Sequence, residues 1–299
     1  MGGNLFIFGY GFTGAALARR LAAEGWTAAG TSRSPEGRAA MTHESVRPVD
    51  PANAGALRQA LEEADALLIA APPGAGGCPA FNTLAPLLKP RERRPAWIGY
   101  LSTTGVYGDR QGGWVFESSD LAARSLEGAR RVEAERNWRR LGRDLDTVVT
   151  AFRLPGIYGL GRSPFDRLRE GGQRRIVKPG HVFSRVHVDD IAAGLAASIA
   201  RPRAGGVYNL CDDLPAPAAE VTAYAAALLG MEPPPEVAWN EADMAPGARR
   251  FYAESKRVSN ARAKAELGWR PAFPTYREGL AAILAGEQAT GSPTTNPSP

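Results

Sequence analysis

The sequence has little cysteine, little histidine and no long apolar run. Among 299 residues there are two cysteines, Cys78 and Cys211, and three histidines. Two distant thiols supply neither a disulfide framework nor zinc-ligand spacing, so no metal site is expected and a reduced, cytoplasmic setting is. No stretch approaches the roughly 18 consecutive apolar residues of a membrane span, and the mean hydropathy is -0.26. Met1-Gly2-Gly3-Asn4 carries no basic segment and leads straight into an apolar run, unlike a secretory leader. A basic tail and an aromatic RNA-binding motif are also lacking. The net charge of +5 and pI of about 9.4 then have two readings. One is a nucleic-acid surface. The other is a chain rich in Ala, Gly, Pro and Arg, in which Arg is the ordinary surface cation. The second is adopted, with neither nucleic acid nor membrane among the expected partners.

What the chain does have is alternation. Short apolar runs at 4–9, 27–32, 46–50, 66–71, 96–102 and 147–153 alternate with helix-like stretches at 14–24, 54–63, 81–88 and 129–141. Such alternation specifies βαβ units, and continuous apolar runs suit strands covered on both faces. The expected fold class is α/β, a doubly wound parallel sheet (Rossmann fold) with a second, smaller α/β substrate domain. Residues 1–155 are read as the dinucleotide-binding domain, with 186–210 returning to it through a helix at 191–200 and a strand at 207–210. Residues 156–185 and 211–287 are read as the smaller domain, with helices at 217–229, 258–267 and 276–285. Residues 288–299, polar and rich in Pro, Ser and Thr, are read as a disordered tail.

The first apolar run ends in Gly9-Tyr10-Gly11-Phe12-Thr13-Gly14, and a helical stretch follows. This is G-x-G-x-x-G in the strand–turn–helix setting that its mechanism requires. Gly9 permits the tight turn, Gly11 lets a pyrophosphate approach the backbone, and Gly14 lets the helix lie close to the strand. The helix N-terminus, with Phe12 and Thr13, faces the phosphates. The second strand ends in Ser32-Arg33 rather than in the acidic residue that would bind a ribose 2′-hydroxyl. A guanidinium can instead pair with a 2′-phosphate, so NADP is favoured, with NAD possible. Asp50 closes the third strand. It could accept from the adenine amino group or cap the next turn.

Further along lie Ser102-Thr103-Thr104-Gly105-Val106-Tyr107-Gly108, Arg153-Leu154-Pro155-Gly156-Ile157-Tyr158-Gly159, Val186-His187-Val188-Asp189-Asp190-Ile191, Val207-Tyr208-Asn209-Leu210 and Glu266-Leu267-Gly268-Trp269-Arg270-Pro271. In their order and spacing, with the glycine loop, they make the chain resemble the extended and atypical branch of the short-chain dehydrogenase/reductase superfamily, the NAD-dependent epimerase/dehydratase family. The resemblance covers about residues 4–285. It implies that Thr103 hydrogen-bonds the substrate oxygen at the carbon that exchanges hydride. It also implies a Tyr-x-x-x-Lys pair on the next helix, the Lys holding the nicotinamide ribose and the Tyr moving a proton. Alignment on Gly128 and Glu135 puts Glu127 in the place of the Tyr and Arg131 in the place of the Lys. These two are spaced i,i+4 and can pair, and Arg131 can still hold the ribose. Gly156, Leu160 and Phe8 depart from the family's usual Asn, Pro and Gly.

The resemblance implies an NADP(H)-binding oxidoreductase or epimerase-like enzyme, acting on a small carbonyl- or hydroxyl-bearing substrate as a monomer or homodimer. Thr103, Glu127 and Arg131 are the catalytic candidates, and the acid/base is Glu127, His187 or a water relay. Tyr107, Tyr158 and His187 are substrate candidates. Arg153 and Arg185 are further residues placed near the cleft, Asp189 or Asp190 is the expected cap of the following helix, and Arg162, Arg249 and Arg250 are cations available to an anionic substrate. The other reading is a sensor that binds NADP without turnover, to which the altered pair lends weight. An open pocket shared by Thr103 and Glu127 favours the enzyme, and a filled one the sensor.

Overall fold

The computed structural model describes residues 2–289 apart from 90–92, 173, 204–205, 245–248 and 250–251. Its strands in chain order are β1 (Asn4–Phe8), β2 (Thr27–Thr31), β3 (Arg47–Val49), β4 (Ala66–Ile69), β5 (Trp97–Thr103), β6 (Trp114–Val115), β7 (Val148–Leu154), β8 (Gly156–Tyr158), β9 (Arg175–Val177), β10 (Arg185–His187), β11 (Val207–Asn209), β12 (Glu236–Ala238) and β13 (Arg257–Val258). Seven of them form one parallel sheet in the order β11-β7-β5-β4-β1-β2-β3. The chain starts at the middle of the sheet, winds to one edge, and returns to build the other. That is the doubly wound Rossmann-like arrangement, with its crevice at the carboxyl ends of the strands.

The helices include α1 (Phe12–Ala22), α2 (Pro35–His43), α3 (Ala54–Glu63), α4 (Pro79–Leu88), α5 (Leu126–Asp144), α6 (Pro164–Glu170), α7 (Val188–Ala200) and α8 (Ala218–Leu228). Strand β1 shows why the apolar runs are unbroken. Leu5 and Ile7 point into a core shared with α1 and α7, through Leu17, Leu21, Ile191 and Leu195. Phe6 and Phe8 point into the opposite core, shared with α3, α4 and α5 through Leu61, Leu84 and Trp138. Successive side chains alternate faces, and both faces are roofed.

A second lobe has its own core of Tyr158, Phe165, Leu168, Val221, Ala225, Tyr276, Leu280 and Ile283. It is built on two-stranded parallel pairings, β8 with β10 and β9 with β12. A third short pairing, β6 with β13, ties the late chain to the connection after β5. The stretch read as belonging wholly to the smaller domain is divided, because Ala263, Leu267 and Trp269 pack in the core of the sheet half. The last helix, Tyr276–Ala289, runs into the stretch read as a tail, and residues 290–299 lie outside the described residues. No helix among the described residues is long and apolar enough to cross a membrane.

Candidate active site

The glycine loop sits at the carboxyl end of β1. Gly9 has φ +91, and a Cβ there would stand 2.6 Å from the Ala71 backbone N, so only glycine fits. Its N–H donates to Thr31 Oγ1 at 2.8 Å, and the Tyr10 N–H to the Thr31 carbonyl at 2.9 Å, which fastens the turn to β2. Gly14 lies where a Cβ would press on Ile7 Cγ2 at 3.1 Å, which brings α1 close to the sheet. Gly11 is exposed, with nothing within 4 Å of where its Cβ would be. It caps α1 without a side-chain hydrogen bond, and the first turn holds no acidic residue. The start of α1 is therefore left without a side-chain cap and opens at Gly11, as an anion site at a helix N-terminus requires. Thr13 is buried beside this turn and Phe12 half-buried.

At the end of β2, Ser32 is half-buried and Arg33 is exposed. The segment continues into α2, whose N-cap Ser34 accepts from the Gly37 N–H at 3.0 Å. Arg38, one turn into that helix, curls back and donates to the carbonyls of Ser32 at 2.8 Å and Arg33 at 3.1 Å. Its other nitrogen lies 3.6 Å from Asp50 Oδ2. Asp50 also accepts from the Ala52 N–H at 2.8 Å, so of its two readings the turn cap is the one seen. Arg38 had no signal in the sequence, where α2 itself was not read.

Thr103 ends β5 and starts a 3-10 turn, Thr104–Tyr107, where its Oγ1 accepts from the Gly105 N–H at 3.1 Å. That bond uses one acceptor lone pair and leaves the hydroxyl proton free to donate. Thr103 and Glu127 line one open cavity of about 360 Å³, together with Ser125, Gly156, Phe183 and Lys256. Ser125 caps α5 by accepting from the Gly128 N–H at 3.0 Å, which sets Glu127 in the first turn. Arg131, one turn later, donates to the Leu101 carbonyl, lies 6.0 Å from the Tyr100 ring centroid in the same strand, and is on neither cavity wall. Lys256 was missed in the sequence, where it lies far from Thr103 and in no recognisable pattern. Its neighbour Ser255 donates from its N–H to Asp109 Oδ1 at 2.8 Å, and β13 then pairs with β6. The buried Lys256 ammonium donates to Glu254 Oε2 at 2.6 Å.

Beneath this cavity runs a buried polar network. Ser102 Oγ donates to Glu135 Oε1 at 2.5 Å, and Arg153 grips the same carboxylate with two bonds of 3.2 and 2.9 Å. Arg153 also donates to Tyr107 Oη at 3.0 Å and to the Glu117 carbonyl at 3.2 Å. Tyr107 donates in turn to Asn209 Oδ1 at 2.7 Å. It is fully buried, lines neither cavity, and has its hydroxyl pushed up to about 12 by burial. Tyr107 is therefore a structural residue, and its reading as a substrate contact is withdrawn, as is Arg153's as a pocket wall.

His187 is corrected in the same way. It is buried, and its Nδ1 accepts from the Asp189 N–H at 3.2 Å, so that it caps α7 itself. The ring packs 4.3 Å from Phe273 and edge-on to Tyr158 at 5.3 Å, and burial lowers its pKa. It lines neither cavity. The expected acidic cap is not used: Asp190 accepts from the Ala272 and Phe273 N–H groups at 2.6 and 3.2 Å.

Tyr158, Arg162 and Arg185 line a second, larger cavity of about 900 Å³ in the second lobe. Gly156 and Phe183 belong to both walls, so the two cavities adjoin. Arg162 also lies 5.8 Å from the Phe12 ring, next to the glycine-loop helix. Arg249 donates to the Ala242 carbonyl at 3.3 Å and is not on either wall. Arg250 lies outside the described residues. No group of His, Cys, Asp and Glu among the described residues could hold a metal ion.

A family model described as NADP oxidoreductase, coenzyme F420-dependent, matches residues 4–77, the glycine-loop half of the sheet. Protein YeeZ of Escherichia coli K12 is 31% identical over 241 residues, 76% of this chain and 84% of that protein. A 3-diazoavenalumate denitrifying reductase of a Streptomyces species is 31% identical over 163 residues, and the match spans 51% of its length and 50% of this chain. A functionally unknown conserved protein of Silicibacter pomeroyi has a solved structure that superposes with a TM-score of 0.89 at 46% identity, over 95% of this chain and 99% of that one. The dTDP-glucose 4,6-dehydratase of Bacillus anthracis, solved in complex with NAD, superposes with a TM-score of 0.78 over 96% of this chain and 97% of that one. Its 18% identity makes this a likeness of fold.

Proposed function

The chain belongs to the family of Protein YeeZ of Escherichia coli, and from that footing we propose that it is an NADP(H)-binding oxidoreductase or epimerase-like enzyme acting on a small substrate with a carbonyl or hydroxyl group. One observation carries the reading: Thr103 and Glu127 line a single open cavity at the same sheet edge as an open, uncapped glycine loop. An open rather than a filled cavity favours turnover over a binding-only sensor. The matched NADP oxidoreductase model, the reductase among the relatives and the NAD-bound fold neighbour point the same way.

The residues present fit a dinucleotide. Gly9, Gly11 and the N-terminus of α1 with Phe12, Thr13 and Gly14 would take the pyrophosphate. Ser32 and Arg33 would take a 2′-phosphate, with Arg38 holding their carbonyls in place. When bound, the nicotinamide supplies or accepts the hydride. Thr103 donates its free proton to the substrate oxygen. Glu127 and Arg131, in the places that the family gives to Tyr and Lys, divide the work: Glu127 exchanges a proton with the substrate, and Arg131 holds the ribose. The Lys256 ammonium, fixed by Glu254, faces the same cavity and stabilises negative charge that develops on the oxygen.

The test begins with NADPH and NADH titrations. Arg33→Ala should weaken NADPH binding by about ten- to a hundredfold, the size of a charge-assisted hydrogen bond, and leave NADH unchanged. Equal losses for both would remove Arg33 from the 2′-phosphate site. In a substrate screen followed at the nicotinamide absorbance, Glu127→Gln should keep cofactor affinity and lower turnover by roughly 10²–10⁴-fold. Undiminished turnover in that variant would strike Glu127 from the mechanism.

A further inference from the structure

The larger cavity contains an unsatisfied cation. Arg185 is 5% exposed, and its Nη1 has no hydrogen-bond partner. Its other terminal nitrogen donates to the Ala216 carbonyl at 3.2 Å. The guanidinium lies 4.2 Å from the Phe183 ring centroid and 5.5 Å from that of Tyr276, and all three residues line the cavity. The two ring contacts and the Ala216 carbonyl hold the guanidinium and leave Nη1 unused. An unpaired buried donor of this kind is costly, so a water, an ion or a ligand group is expected to meet it.

The surroundings leave the charge unmatched. Asp212, next to Arg185 through a backbone hydrogen bond of 2.8 Å, is 2% exposed. Neither of its carboxylate oxygens has a side-chain partner, although the backbone N–H groups of Arg185 and Leu214 face it. Burial raises this carboxyl against the pull of Arg185, and burial likewise lowers the guanidinium. Tyr158, on the cavity wall, has a buried hydroxyl that is also unpartnered. Among the described residues, the lining holds five arginines and two carboxylates. Of those carboxylates, Asp166 is committed to capping α6, where it accepts from the Ser163 N–H at 2.8 Å.

We propose that this cavity seats an anionic group of the substrate, a carboxylate or a phosphate, on the free edge of Arg185. The cavity adjoins the one lined by Thr103 through Gly156 and Phe183, so one molecule can place its anion on Arg185 and its reacting carbon at Thr103. Only the identification of the anion as part of the substrate rests on the enzyme reading.

Calorimetric titration of the full chain, without cofactor, tests the seat with inorganic phosphate and with succinate, against sodium chloride at matched ionic strength. One of the two should bind saturably, and Arg185→Met should weaken it by about tenfold or more, as loss of a charge-assisted hydrogen bond implies. Saturation by phosphate alone assigns a phosphate ester, and by succinate alone a carboxylate. Arg167→Glu, an exposed charge reversal on the cavity wall, should weaken the same binding severalfold, and it decides the matter if Arg185→Met does not melt cooperatively. Binding no better than chloride overturns the proposal, as does binding that survives unchanged in the variants, which would belong to the glycine loop. An NADPH titration of the same samples separates the two readings. Arginine-dependent anion binding without NADPH binding would sink the oxidoreductase reading and leave the anion seat standing.

Discussion

Arg153 and Arg185 are buried almost equally, at 3% and 5% exposure, yet they live in opposite circumstances. Arg153 meets a carboxylate with two bonds, a phenol and a carbonyl. Every nitrogen of its fork is used within the protein. Arg185 meets one carbonyl and two aromatic faces and has an idle nitrogen. A buried charge with a complete shell is scaffold, since its desolvation is offset inside the chain. A buried charge with an incomplete shell is a place where something else completes it.

The contrast can be broken by stability measurements. The largest effect is expected from Glu135→Ala, which strands Arg153 and should cost about 3–5 kcal/mol in denaturant unfolding. A loss below about 1 kcal/mol would mean that water enters and the network is not sealed. Arg185→Met should cost less than about 2 kcal/mol, because one hydrogen bond and two ring contacts are all that it forfeits. Equal costs for the two changes would erase the distinction between scaffold and seat.

The smallest effect sharpens the comparison through pH. Burial raises the carboxyls of Asp212, to about 8, and Asp190, to about 6. A folded state that holds these protons more tightly than the unfolded chain is favoured at low pH. That stability is whole below about pH 4 and is lost as pH rises toward the raised values. Asp212→Asn removes the larger of the two contributions. Its Tm should therefore fall less steeply than wild type between about pH 5 and pH 8, by a few degrees. Parallel curves would show that Asp212 is ionised and paired throughout.

The sheet and the glycine loop were legible because their signals are local. Gly9, Gly11 and Gly14 sit within six residues, and each strand's apolar run reports burial on two faces. Thr103 and Glu127 came through the resemblance, and they do share a cavity. Arg38 was invisible because α2 is short, polar and carries only one buried residue, Met41. His187 was misread because an Asp-Asp pair beside it is the more usual helix cap, whereas burial let the imidazole nitrogen take that place. Lys256 could not have been ranked among so many basic residues, and Arg185, placed near the cleft, had nothing in the sequence to set it apart from Arg153. What distinguishes them is the company that the fold gives each, and that company comes from residues distant in sequence.

The pairing of β6 with β13 has a consequence in time. It joins Trp114–Val115 to Arg257–Val258, and contacts that bridge so much intervening chain are slow to close. The turn around Gly9 needs only its neighbours and the first strands, and can be standing long before. Lys256 arrives beside Thr103 when the distal chain docks. The turn around Gly9 thus draws on nearby chain and the Thr103 chamber on distant chain, so loss of the β6–β13 pairing would cost the chamber its Lys256 while sparing the glycine turn.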